Sequence, residues 1–190
     1  MFNGIILKIQ GWALVTHIVA AGVAFAVMQA ALALVNGFYA RSGHPVSFFE
    51  GQTAFSADAI KGWYAHMIDA GTMNIYVQTQ LVDYVFIATV ALFGVVIGTL
   101  AMRLAGDFSL LAKNLGFAVL ILFVAAASSD AIENLISFVM LSDPLNFDPW
   151  LAFPYSGFAV LKFACLAAGF ASLATSVLLT AVQFARLKFA

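Results

Sequence analysis

Four long apolar runs, parted by polar or turn-forming stretches, set the pattern of this chain. They cover about Ile5 to Tyr39, Asn74 to Met102, Asn114 to Leu141 and Pro154 to Phe184. Each exceeds the roughly 20 residues that cross a hydrocarbon core. A helix satisfies its own backbone in lipid, so all four should be helical. The pattern predicts an all-α fold: an integral membrane four-helix bundle spanning residues 1–190 as a single domain.

The connections differ in character. Residues 103–113 form a short turn. Residues 142–153 carry Asp143-Pro144 and Asp148-Pro149 beside Trp150, and a residue before proline is pushed out of the helical region. The connection 40–73 is long and patterned. Ser56 can cap a helix start with Asp58 in its first turn, and Gly71 is a natural stop. Ile60, Trp63, Tyr64 and Met67 then recur at helical spacing. These signs predict a short helix over 57–70, lying on the membrane surface with Trp63 and Tyr64 at headgroup level. The competing reading is a lid over a pocket.

Composition agrees with the pattern and removes several classes. The chain is 64% hydrophobic and 9% charged, with a mean hydropathy of +1.02. Its net charge of −1 offers no basic surface for nucleic acid. Cys165 is the one cysteine, so there is no internal disulfide and no CxxC pair. That excludes the four-helix thiol–quinone reductases. The first apolar run, Gly11 to Val35, is longer than the roughly 7–15 residue core of a signal peptide, which predicts a retained span. Phe2 stands where myristoylation needs glycine, and no CaaX cysteine ends the sequence. Lys8, Arg103, Lys113, Arg186 and Lys188 fall on one side of the predicted topology, and Arg41 and Lys61 on the other. By the positive-inside bias both termini are cytoplasmic. The long connection and the Asp-Pro connection then face outward.

Against this background, four ionisable residues lie inside apolar runs: Asp83, Asp130, Glu133 and Lys162. Charge in the bilayer is costly, and such residues face the bundle interior, pair with each other and mark function. At a rise of about 1.5 Å per residue, Asp83 and Lys162 lie roughly 12–13 Å inside the outer ends of their spans. Glu133 and Asn134 lie roughly 10–12 Å inside theirs, and Asp130 about 17 Å. Gln29 of the first span comes out near the same depth. Asp130, Glu133 and Asn134 stand at i, i+3 and i+4, which groups them on one face. Ser137 continues that stripe. Tyr76, Thr79, Gln80 and Asp83 form a comparable stripe, with Tyr84 beside it. The candidate ligand-binding or ion-pair cluster is therefore Asp83, Asp130, Glu133, Asn134, Lys162, Gln80, Tyr84 and Gln29. Three carboxylates against one lysine predict a protonated acid or an added cation, with Lys162 paired to one or two of the acids. Polar glue between helices is the bland alternative.

No cofactor is named by these residues. His17 is the one histidine within a span, which disfavours a haem with two axial histidines from one chain and leaves a haem shared with a partner chain open. His66 with Asp69 has no metal-ligand spacing, so no metal is expected. Gly94 and Gly98 form a GxxxG pair suited to close helix approach, within the chain or in a dimer.

The run Tyr76…Asp83-Tyr84-Val85-Phe86, followed by Ser129-Asp130-Ala131-Ile132-Glu133-Asn134, resembles uncharacterised bacterial four-span integral membrane proteins. These carry an Asp-x-x-Glu-Asn element in the third span, and Lys162 fits their basic residue early in the fourth. The resemblance covers about Gly71 to Lys162. It implies a multi-pass protein of the bacterial inner (cytoplasmic) membrane and brings no activity with it.

Three functions compete. The first is a polar, ionisable pocket in the outer half of the bilayer that binds or moves a small polar, cationic or amphipathic ligand, coupled to protons. The second is an intramembrane lipid-modifying enzyme using paired carboxylates as acid and base. The third is an accessory subunit of a larger membrane complex. The expected partners are the lipid bilayer and a small-molecule or lipid ligand. A homo-oligomer and a larger complex both stay open.

Overall fold

The computed structural model describes residues 2–106 and 109–189. Among them the regular structure is helical throughout: α1 (Phe2–Gln10), α2 (Leu14–Ser42), α3 (Phe48–Gln52), α4 (Ala57–Asp69), α5 (Met73–Ala105), α6 (Leu110–Ser142), a 3-10 turn (Pro149–Leu151) and α7 (Ala152–Phe189). Four of these segments are long and apolar enough to cross a membrane: Leu14–Ser42, Met73–Ala105, Leu110–Ser142 and Pro149–Arg186. Asp107 and Phe108, inside the connection expected over 103–113, lie outside the described residues, as does the side chain of Lys188.

The run expected as one span from Ile5 to Tyr39 is two helices. It breaks at Gly11–Ala13, because glycine is a poor helix former and the Trp12 carbonyl finds another partner. The Arg103 guanidinium donates to that carbonyl.

Contacts divide the chain into two compact units. The first holds residues 1–28, 89–126 and 164–190, and the second residues 29–88 and 127–163. Each therefore takes one part of every long helix.

The first unit is held by close approach. A Cβ on Gly98 of α5 would stand 2.8 Å from the Leu120 nitrogen and 2.9 Å from the Gly116 oxygen, both backbone atoms of α6. Phe123, fully buried, lies between the Phe93 and Phe170 rings at centroid distances of 5.5 and 4.9 Å. One fully buried histidine also joins helices here. The Nε2 of His17 on α2 is 3.1 Å from both the Val96 carbonyl and the Thr99 hydroxyl of α5.

The second unit has a core of Ile60, Tyr64, Met67, Tyr76, Met140, Phe147, Leu151, Ala152 and Tyr155. The apolar stripe of α4 is thus spent on protein, while Asp58, Gly62, His66 and Asp69 line its exposed side. Ser56 caps α4, its Oγ accepting from the Ala59 N–H at 3.3 Å. The chain leaves the helix through Gly71 at φ +67°, a conformation that glycine adopts without steric cost. The Thr72 hydroxyl donates to the Ser42 carbonyl at 2.6 Å, fastening this turn to the end of α2.

Candidate functional site

All the sequence candidates fall within the second unit, and it gathers most of them. α6 presents Asp130, Glu133 and Asn134 from one face, as their spacing requires. Lys162 reaches them from α7. Its Nζ lies 2.8 Å from Asp130 Oδ1 and 2.6 Å from Glu133 Oε2. It also donates to Gln52 Oε1 at 3.1 Å. Asp130 and Gln52 accept hydrogen bonds from the ammonium, and Glu133 is held to it as an ion pair. Asp83 arrives from α5, and its Oδ2 accepts from Asn134 Nδ2 at 2.8 Å. Asp83, Asp130, Glu133, Asn134 and Lys162 are all buried.

Asp83 thus differs from its neighbours. Asp130 and Glu133 share an ammonium. Asp83 is held by a neutral amide, and among the described residues no lysine or arginine lies within ion-pair distance of it. The set carries three carboxylates and one cation at low dielectric, where uncompensated charge is expensive. The site can therefore accept further positive charge, with Asp83 the carboxylate best placed to take it.

Other candidates have different stations. Gln80 is buried on α5, one turn before Asp83. Tyr84 is half-buried. Its hydroxyl donates to the Ala131 carbonyl at 3.3 Å, and its ring stacks on Phe138 at 6.3 Å. Tyr84 therefore braces the helix carrying Asp130 rather than entering the ion pairs.

Gln29 is exposed on α2, so depth alone misplaced it. The buried stripe of α2 runs through Ala21, Ala24, Met28, Ala31 and Val35, and Gln29 is one position out of phase. The glutamine at the cluster is Gln52 of α3, which the sequence reading missed. A signal for α3 was present: Ser47-x-x-Glu50 has the form of a capping box. The Ser47 Oγ accepts from the Glu50 N–H at 3.3 Å.

Polar groups continue from the cluster toward α4. Ser137 and Tyr64 are fully buried, and Tyr76 and Tyr155 nearly so. Burial, reinforced by neighbouring Tyr76, holds the Tyr64 phenol well above the ordinary tyrosine range, so it stays a neutral O–H. His44, in the connection before α3, packs against Tyr39, Trp63 and Tyr76 at ring-centroid distances of 5.1–5.5 Å. Burial pushes its pKa down to about 4, against a smaller opposing effect of its bond to the Val46 carbonyl. His66 and Asp69 are exposed. Among the described residues no group of three histidine, cysteine or acidic side chains is arranged to hold a metal ion.

No protein-family model, curated protein or solved structure matches this chain.

Proposed function

We propose that this is a multi-pass membrane protein that binds a small cation at Asp83 and couples its occupancy to protons, with the pocket in the outer half of the bilayer. One observation carries the reading. Lys162 is ion-paired with Asp130 and Glu133 and hydrogen-bonded to Gln52, while Asp83, also buried, has an amide for a partner. Buried ionisable groups in a membrane segment mark ion and proton pathways more often than they mark stability.

In this reading the Lys162 ion pairs are the fixed part of the site. They hold α6 and α7 in register through two carboxylates. Asp83 is the exchangeable part, and the Asn134 amide orients its carboxylate. A proton, an alkali cation or a primary ammonium would each supply the missing positive charge. Both termini would be cytoplasmic by the distribution of Lys and Arg, and the resemblance of residues 71–162 to bacterial four-span proteins supports an inner-membrane location.

The test is a thermal-stability titration of the purified protein with sodium, potassium and ethylammonium chlorides at several pH values. Choline chloride serves as the ionic-strength control. The expected result is a saturable rise in midpoint with at least one of the three cations, stronger at higher pH and absent in Asp83→Asn. A wild type indifferent to all three, or an Asp83→Asn protein with an unchanged response, would defeat the reading.

A further inference from the structure

Away from the carboxylates, the first unit contains a groove of about 470 Å³. It is lined by Leu14 of α2, Ala101, Arg103 and Leu104 of α5, and a run of α7 from Ser176 to Phe184. This volume lies in the range of small-molecule sites. Its two hydroxyls are turned into the protein. The Ser176 Oγ donates to the Ala112 carbonyl and the Thr180 Oγ1 to the Ser176 carbonyl, each at 2.8 Å. The wall is therefore hydrocarbon, with one charged group, the guanidinium of Arg103.

We infer that this groove is a site for an anionic phospholipid, its acyl chain against α7 and its phosphate at Arg103. Charge complementarity selects the headgroup. The first unit carries five basic residues, Lys8, Arg103, Lys113, Arg186 and Lys188, against a single acid, Asp107. A guanidinium has five donors in a fork suited to phosphate, and the Trp12 carbonyl occupies one of its nitrogens. Arg186 follows two residues after the groove-lining Phe184, about 3 Å further along the helix, and extends the positive field. Leu14, Leu104, Val177 and Phe184 are exposed at the rim, so a chain can enter from the bilayer.

The site also explains why Arg103 is tied to Trp12. The break between α1 and α2 frees a carbonyl that fixes the guanidinium beside the groove. The lipid site and the break at Gly11–Ala13 are then one construction.

The experiment uses the full chain in neutral detergent. Short-chain phosphatidylglycerol, phosphatidylcholine of the same chain length, and oleate are titrated in turn, and binding is read by native mass spectrometry. Phosphatidylglycerol should bind at one saturable site, about fivefold more tightly than phosphatidylcholine. Arg103→Gln should equalise the two lipids and Arg103→Lys should keep part of the preference. Ala181→Trp, which fills the groove, should weaken both. Equal affinities in the wild type, or a preference that survives Arg103→Gln, overturns the assignment. Oleate displacing phosphatidylglycerol overturns the phospholipid in favour of a fatty acid. Should Arg103→Gln fail to fold, headgroup-selective binding that survives Ala181→Trp overturns the site by itself.

Discussion

The two units of this chain solve the same packing problem with opposite materials. The first has five basic residues and one acid, and the second has three basic residues and eight acids. Among the described residues, the buried polar groups of the first are His17, Thr89, Thr99 and Ser176. Those of the second include Asp83, Asp130, Glu133, Asn134, Lys162, Gln52 and Gln80. Helices in the first unit approach through glycine and are locked by an interleaved phenylalanine. Helices in the second are joined by ion pairs and amides. Close packing needs no chemistry to explain it. A buried excess of carboxylate does, because a hydrophobic set of the same shape is often as stable or more so. On the proposed function, the contrast separates a scaffold from a site.

The largest effect on the second unit should come from Lys162→Met. Losing the ammonium leaves Asp130 and Glu133 buried side by side without compensation, which should cost about 3–5 kcal/mol. Adding Asp130→Asn and Glu133→Gln removes the stranded charge and should recover most of that loss. Thermal midpoints in detergent read both. If Lys162→Met alone melts near the wild type, the ion pairs are not the fixed part of the site, and the division of roles between Lys162 and Asp83 falls.

The matching perturbation in the first unit is Gly98→Ala. A methyl there meets backbone atoms of α6 rather than movable side chains, so the helices must separate, at about 1–3 kcal/mol. Gly62→Ala in the second unit is its control. Gly62 is exposed on α4 with nothing within 4 Å of an added Cβ, and alanine there should stabilise by about 0.5–1 kcal/mol. Comparable losses from both would mean that close approach governs the two units alike.

How much of this was legible in the sequence follows from the period of each signal. The four long helices are written in runs of apolar residues that nothing but a membrane or a buried core requires. The face holding Asp130, Glu133 and Asn134 is a matter of i, i+3, i+4 spacing. Depth is also readable, but it fixes only one cylindrical coordinate. Gln29 stands at the cluster's depth and points elsewhere, since its phase is set by the small residues of α2 that pack inward. Gln52 was illegible for another reason. It sits on a helix of five residues, too short to form without tertiary support, and its distance in sequence from Lys162 is closed by the fold. The break before Leu14 likewise depends on Arg103, a partner that hydropathy cannot name.

A last expected effect is a pH dependence that His44 brings to the second unit. His44 is packed among Tyr39, Trp63 and Tyr76, with the neighbouring charge of His66 adding a minor disfavour. Its pKa falls from 6.5 to about 4 on folding. Between those values the unfolded chain binds the proton at this histidine and the folded chain does not, so the contribution of His44 to stability declines as pH falls from about 6.5 to about 4 and levels off below. His44→Phe keeps the aromatic packing and removes the titrating group, and should flatten that part of the curve. Gly98→Ala should lower the whole curve without changing its slope there. Thermal midpoints from pH 4 to pH 7 on the three proteins decide it. If the decline persists undiminished in His44→Phe, the acid sensitivity belongs to groups other than this histidine.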